Sequence, residues 1–254
     1  MRWAACIEYD GTAYHGWQSQ SHVANVQDTL EHALSTVADA PIRVVASGRT
    51  DAGVHAEAQV VHFDTQVQRR QRAWLLGTNR YLPQDVAVLW IVPVTDAFHA
   101  RRSALARTYR YHILDRSAPT ALWRHCVHHS HYPLDGASMH AAAQALLGEQ
   151  DFSAFRAAGC QARTPFRNVH AIEVVRYGDW LQVDIRANAF LHHMVRNIVG
   201  SLLQVGCGRR SEGWIATVLA GRDRRRAGMT APARGLRLRQ VHYPPEFDLP
   251  ATTD

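Results

Sequence analysis

An α+β fold with a largely antiparallel sheet is predicted by three features of this 254-residue sequence. Strand-like and helix-like segments follow one another without the strict alternation of a parallel βαβ chain. One long segment, Leu191, Met194, Val195, Ile198, Val199, Leu202 and Val205, has the wide apolar face of a helix packed on a sheet. The stretch 115–133, richest in turn residues and histidines, separates two halves, residues 1–115 and 134–254, with 116–133 as connection.

In the first half, Trp3 to Tyr9 reads as a strand, followed by the turn Asp10-Gly11 and an aromatic loop with Tyr14, His15 and Trp17. Asn25 with Asp28 forms a capping pair for a helix whose apolar residues Val26, Leu30, Leu34 and Val37 recur every three or four positions. After Pro41, Ile42 to Ala46 is expected as a strand, Ser47 to His55 as a polar loop and Gln59 to Phe63 as a strand, so the loop is held between strands. A helix from Arg72 to Leu82 stops at Pro83. Val86 to Val92 supplies a buried strand, the basic segment 98–102 follows, and Thr108 to Leu114 is a further strand. In the second half, Asp135 to Leu147 reads as a helix stopped by Gly148. Val169 to Val175 and Trp180 to Ile185 form a hairpin around Gly178-Asp179. The long helix ends at Gly206 and Gly208, and a short helix at Trp214 to Ala220, the arginine run 222–226 and a strand from Leu236 to Val241 complete the order.

Composition narrows the chemistry. The formal charge is +6, and with no lysine all 28 basic side chains are arginine. Schiff bases, pyridoxal attachment and the phosphate lysine of a P-loop are therefore excluded. Arginine's planar fork suits phosphates and stacks on bases, although a GC-rich genome would produce the same bias. Cys6, Cys126, Cys160 and Cys207 include no C-x-x-C pair, so no disulfide framework or thiolate zinc site is expected. Met1 to Asp10 reads as a strand rather than a signal peptide, no apolar run is long enough to span a membrane, and a cytoplasmic location is expected. Gly206-x-Gly208 lacks a third glycine and follows a helix, so it is no dinucleotide fingerprint. His128, His129 and His131, and His192-His193, lack metal-site spacing, because adjacent histidines on a helix point about 100° apart.

The loop Ser47-Gly48-Arg49-Thr50-Asp51-Ala52-Gly53-Val54-His55 is the densest cluster of reactive groups. Its glycines let the backbone approach a ligand, and Arg49 and Asp51 would present a cation and a carboxylate to one cleft. The same residues would also suit a surface turn with an exposed ion pair. Arg196, on an otherwise apolar helix, demands a partner.

Arg49 through His55, with Gly48 before them, resemble the active-site signature of the tRNA pseudouridine synthases of the TruA type. Glu8-Tyr9-Asp10-Gly11 with Tyr14-His15-Gly16-Trp17-Gln18 is similar to that family's opening segment, Phe98-His99-Ala100-Arg101 to its basic loop and Tyr109-Arg110-Tyr111 to its tyrosine motif. Asp151-Phe152, the run Cys160 to Pro165 and the run Asn188 to Gly200 match family segments in the second half. The resemblance extends to Leu249. It implies two similar α/β halves sharing one largely antiparallel mixed sheet, with a central active-site cleft, and a homodimer whose tRNA spans both subunits.

The resemblance implies isomerisation of uridine to pseudouridine in the anticodon stem-loop, at positions 38, 39 and 40, without metal or other cofactor. It makes Asp51 the catalytic aspartate, Tyr109 the aromatic against the target base and Arg196 the cation paired with Asp51. Arg49 would assist base flipping, and Leu236 would pack beneath the uracil. Arg69, Phe98, His99, Ala100, Arg101, Arg102, Cys160, Gln161 and Arg163 would bind substrate. Two other functions use the same residue types: a nucleoside glycosylase, in which water captures the sugar, and a noncatalytic RNA-binding module.

Overall fold

The computed structural model describes residues 1–251. In chain order its strands and α-helices are β1 (Arg2–Tyr9), α1 (Val26–Ala38), β2 (Val45–Ala46), β3 (His55–Asp64), α2 (Gln71–Tyr81), β4 (Val86–Val94), β5 (Ala106–Asp115), β6 (His128–Ser130), α3 (Gly136–Ala143), β7 (Gly148–Asp151), β8 (Phe166–Tyr177), β9 (Trp180–Ala187), α4 (Met194–Gly206), α5 (Trp214–Gly221) and β10 (Leu236–His242). The fold is α+β. Two compact units divide the chain, one of residues 1–105 with the segment from Arg237 onward, the other of residues 106–236. This departs from the expected divide at 116–133. The first unit gives up β5, which lies antiparallel to β9 from Arg107 to Leu114, and recovers the segment from Arg237, whose first residues pair parallel with the start of β3.

In the first unit β1 lies between β3 and β4, antiparallel to both. Trp74 of α2 seals the core with its ring 5.4 Å from Phe63 and 6.1 Å from Trp3. The Asn25 cap forms as expected: its Oδ1 accepts from the Asp28 amide at 2.8 Å, and its Nδ2 donates to the Asp28 carboxylate at 2.7 Å. The expected strand from Ile42 to Ala46 shrinks to Val45–Ala46. Its alternation is real, since Ile42, Val44 and Ala46 are buried, but side chains of α1 take its amides. The Ile42 N–H donates to Ser35 Oγ at 2.9 Å and the Val44 N–H to the buried Glu31 carboxylate at 3.0 Å. Those bonds replace a ladder.

In the second unit β5, β9, β8 and β7 run in that order, each antiparallel to its neighbour, with β6 parallel to β5. The expected hairpin turn is present: Tyr177 faces Trp180 across Gly178-Asp179, with Gly178 at φ 58°. Helix α3 is shorter than predicted, passing into a 3₁₀ turn at Gln144–Leu146. Helix α4 starts at Met194 rather than Leu191, because His193 takes a left-handed conformation at φ 59°.

Gly200 of α4 lies against a neighbouring backbone, where a Cβ would stand 1.7 Å from the Met229 carbonyl oxygen. Gly228 returns the contact, its own Cβ position being 2.5 Å from the Gly200 oxygen. Helix propensity alone favours alanine over glycine by about 1 kcal/mol. Overpacking against rigid backbone costs typically about 1–3 kcal/mol and here demands a shift of more than an ångström. Gly200→Ala is therefore expected to destabilise the protein by about 2 kcal/mol or more, read as a lower urea midpoint at unchanged m-value.

Candidate active site

The loop that carries Asp51 leads into β3 and is anchored at both ends. At its start the Ser47 amide donates to the Val60 carbonyl at 2.8 Å and the Ser47 hydroxyl to Gln59 Oε1 at 2.6 Å. The Gln59 amide in turn donates to the Gly48 carbonyl at 2.8 Å. The Val54 N–H closes the turn on the Asp51 carbonyl at 3.1 Å, and Gly53 takes φ 73°.

Most of the support comes from the segment after β1. The buried Tyr9 hydroxyl meets Thr50 Oγ1 at 2.8 Å. The Trp17 N–H donates to the Thr50 carbonyl at 3.1 Å, and the Gly53 N–H to the Tyr14 carbonyl at 3.2 Å. Gly16, at φ 92°, brings its Cα so near that a Cβ would lie 2.6 Å from Thr50 O and 3.1 Å from the Asp51 carbonyl carbon. Gly11 packs as closely, with a Cβ position 2.1 Å from Val54 O, while its N–H donates to His55 Nδ1 at 3.0 Å. Asp51 therefore stands, half-buried, on a backbone gripped from one side by another backbone.

Three of the expected RNA-binding arginines, Arg49, Arg101 and Arg102, are exposed in this unit. Partial burial, and then the positive charge of Arg49, lower the pKa of the Arg101 guanidinium. A pair of cations that repel each other favours an anion beside them. Arg69, also exposed, donates to the carbonyls of Val37 at 3.4 Å and Gln68 at 3.2 Å. Phe98 and Ala100, expected to bind substrate, are both fully buried. The Phe98 ring packs against Tyr243 and Phe247 at 5.1 and 5.2 Å. The Ala100 carbonyl accepts from the Tyr243 hydroxyl at 2.6 Å. These two residues carry the basic turn; the half-buried His99 and the two arginines after it reach its surface.

In the second unit Tyr109 lies half-buried on β5, its ring edge-to-face with Phe190 at 5.0 Å. Arg196 sits in the first turn of α4 and its Nε donates to the Ala231 carbonyl at 2.8 Å, while the Ala231 N–H donates back to the Arg196 carbonyl at 3.0 Å. The next residue, fully buried Asn197, ties the same region together. Its amide donates to the Phe155 carbonyl at 2.8 Å, and its Oδ1 accepts from Thr230 Oγ1 at 2.7 Å and Arg224 at 3.0 Å. Arg224, whose pKa burial lowers, is thus turned inward. Arg222 pairs with Asp151 at 3.2 Å and Arg225 with Asp223 at 2.8 Å. Within the run 222–226 Arg224 thus serves the fold, a role its charge pattern could not reveal.

Leu236 is buried at the head of β10. Its neighbour Gly235 is required, because a Cβ there would lie 2.6 Å from the buried Tyr111 ring, whose hydroxyl donates to the Pro232 carbonyl at 2.9 Å. The Cys160–Arg163 loop is pinned by Arg156, which donates to the carbonyls of Cys160 at 2.6 Å and Ala162 at 2.8 Å. Gln161 and Arg163 are exposed on it. Burial raises the Cys160 pKa, but N–H donors from His192 and Ala162, with Arg156, outweigh it and leave the thiol below its ordinary value. His192 and His193 do not point apart as on a regular helix: His193 is left-handed and the rings lie 4.0 Å apart. His128 and His129 belong to β6, and burial drives the His128 pKa down to about 4.

Phe190 and Asn197 are the residues that sequence reasoning missed. Phe190 lies within a matched run, yet nothing in the pattern pairs it with Tyr109. A polar residue on the apolar face of α4 was the signal for Asn197.

A family model described as tRNA pseudouridine synthase matches residues 5–101 and 142–244. This chain belongs to that family. Proteins named tRNA pseudouridine synthase A resemble it over nearly their whole length. The one from Photorhabdus laumondii is 56% identical over 250 residues, covering 98% of this chain and 95% of the relative. That from Shewanella amazonensis is 56% identical over 250 residues, covering 98% and 96%, and that from Klebsiella pneumoniae 57% over 244 residues, covering 96% and 90%. A solved structure described as a Cbf5-Nop10-Gar1 complex aligns with 93% of this chain and 48% of that one at 13% identity and TM-score 0.37, a likeness too weak to bear on the fold. The family model leaves Tyr109 outside its matched residues, whereas the alignments with the relatives span almost the entire chain. No helix among the described residues is long and apolar enough to cross a membrane.

Gly16→Ala tests the support of the Asp51 loop. It adds a methyl group where φ is 92° and where backbone atoms of the loop crowd the position, so strain and overpacking act together, at roughly 1–3 kcal/mol each. We expect a lower urea midpoint together with faster hydrogen exchange at the amides of Trp17 and Gly53. Exchange unchanged at both amides would mean that the contact does not hold the loop.

Proposed function

We propose that this protein isomerises uridine to pseudouridine in tRNA, acting at positions 38, 39 and 40 of the anticodon stem-loop with Asp51 as catalytic carboxylate. The observation that carries this reading is identity of 56% to tRNA pseudouridine synthase A proteins across 98% of the chain. The support of the Asp51 loop agrees with it: a catalytic group is useful only if held to within a fraction of an ångström, and backbone-to-backbone packing supplies that.

The reaction breaks the bond from uracil N1 to ribose C1′, turns the base and joins C1′ to C5. C5 loses a proton and N1 gains one, so the product is an isomer and no electrons enter or leave. Three routes are open to Asp51: attack at C1′, attack on the base, or removal of a sugar proton. In this reading Arg196 supplies the cation that pairs with Asp51, Tyr109 lies against the base, and Leu236 packs beneath it. Apolar walls keep water from the freed sugar centre, where hydrolysis would compete with rejoining. The target must first leave its stack, which costs a few kcal/mol and less in a loop than in a duplex. Arg49 assists that step. Arg69, Arg101, Arg102 and Arg163 contact the phosphate backbone, with Gln161 and Cys160 beside them. A homodimer in which one tRNA lies across two subunits, working in the cytoplasm, completes the proposal.

Asp51→Asn is expected to abolish pseudouridine formation, read by nucleoside chromatography of digested tRNA, while tRNA affinity stays within about tenfold, or roughly 1.4 kcal/mol. Substantial turnover by this variant would reject Asp51 as catalytic. Arg101→Ala with Arg163→Ala should weaken tRNA binding and flatten its salt dependence, the slope of log affinity against log salt shrinking by about 0.7 for each phosphate no longer neutralised. A weaker affinity at unchanged slope would mean that these arginines do not meet phosphates.

A further inference from the structure

Three successive backbone N–H groups in the basic turn have imidazole acceptors. The Ala100 N–H donates to Nδ1 of His62 at 3.1 Å. The N–H groups of Arg101 and Arg102 both donate to Nδ1 of His99, each at 3.2 Å. The turn is closed by the Ser103 N–H on the His99 carbonyl at 2.9 Å, and the His99 N–H donates to the Ser103 hydroxyl at 3.0 Å. His99 thus does for amides two and three residues ahead what Asn, Asp or Ser does at a helix N-cap. His62 lies on β3, buried, its ring 4.7 Å from that of His99 and 6.2 Å from Phe98. The two imidazoles form a floor under the turn.

An imidazole differs from a serine or asparagine cap in one respect: its acceptor nitrogen is lost on protonation. We propose that His62 and His99 are positioning residues for tRNA binding, their unprotonated Nδ1 atoms jointly holding the Ala100–Arg102 turn so that Arg101 and Arg102 face the phosphate backbone. The inference rests on the reading given above that this turn contacts tRNA.

The surroundings favour the unprotonated state. His62 faces His99, Arg2 of β1 and Asp64 of its own strand, and it bonds the backbone of Val45 on β2. Burial first, then the charges of His99 and Arg2, lower its pKa to about 4, with Asp64 and Val45 opposing. His99 faces His62, Arg2, Arg101 and Arg102; burial first, then Arg102, lowers its pKa. A histidine with a depressed folded-state pKa takes up protons more readily when unfolded, so its stabilisation of the turn is complete above its ordinary pKa of about 6.5 and fades as pH falls through the folded value. The arginines stay charged throughout. Acid therefore loosens the turn without discharging it.

The test uses the full-length protein with His99→Leu, His99→Asn and the double variant Arg101→Ala with Arg102→Ala. Hydrogen exchange at the amides of Arg101 and Arg102 is read without RNA, and affinity for unmodified tRNA is measured at about pH 5 and about pH 8, on either side of histidine's ordinary titration. His99→Leu should exchange faster at both amides and bind tRNA about fivefold more weakly at the higher pH, the equivalent of removing an N-cap. His99→Asn, which restores an acceptor that does not titrate, should recover most of that affinity and keep the amides equally protected at both pH values, whereas wild type is less protected at the lower one. Unchanged exchange in His99→Leu overturns the positioning role. Faster exchange with wild-type affinity also overturns it, provided the double arginine variant binds weakly. If the double arginine variant itself binds as wild type does, it is the phosphate-contact reading that fails, and exchange alone then decides whether the imidazoles hold the turn.

Discussion

The approach of the backbone at residues 9–17 to the loop at 47–55 is the contact on which the rest of the first unit depends. Gly11 and Gly16 have no side chain to hold the two segments apart. Hydrogen bonds between Trp17 and Thr50, and between Gly53 and Tyr14, then fix the register of one backbone on the other. These contacts are made by main-chain atoms. Main-chain bonds of this kind are less mobile than salt bridges at a surface, and the catalytic role proposed for Asp51 would benefit from that.

The second unit uses the same device. Gly200 and Gly228 bring the segment before β10 onto α4, and Gly235 brings it onto Tyr111. Arg196 lies beside the first contact and Leu236 directly after the second. Asn197 joins α4, Arg224 and Thr230 in one buried network. A partly satisfied buried network is costly, whereas a complete one specifies a single arrangement. The arginine run thereby serves the fold on its inner side, through Arg224, and pairs with Asp151 and Asp223 through Arg222 and Arg225.

Much of this was legible in the residues, and the gaps have physical causes. The α1 cap, the β8–β9 hairpin and the long apolar helix followed from local pattern, because each is stabilised by neighbours in sequence. Ile42 to Ala46 alternates as a strand should, but Glu31, distant in sequence, takes the amide of Val44. Strands β6 and β7 are short and polar, with nothing to separate them from loops. The end of the chain pairs with β3 in the first unit, a long-range contact that no local signal encodes. In the candidate site, motif similarity named Asp51, Tyr109 and Arg196, but local pattern could not tell that Phe98 and Ala100 are buried under the basic turn. The imidazole acceptors beneath Arg101 and Arg102 were invisible because cap rules favour oxygen side chains.

Isomerisation and glycoside hydrolysis begin with the same bond cleavage and differ in what captures the sugar. The base wins over water only if water is kept from the freed sugar centre while the ring turns. Transfer RNA carrying tritium at uracil C5 separates the outcomes in one assay. Rejoining at C5 expels that tritium, so incubation with the wild-type protein should release it to water in step with pseudouridine formation and yield no free uracil. Free uracil that retains its tritium, or tight binding with no release at all, would contradict the account.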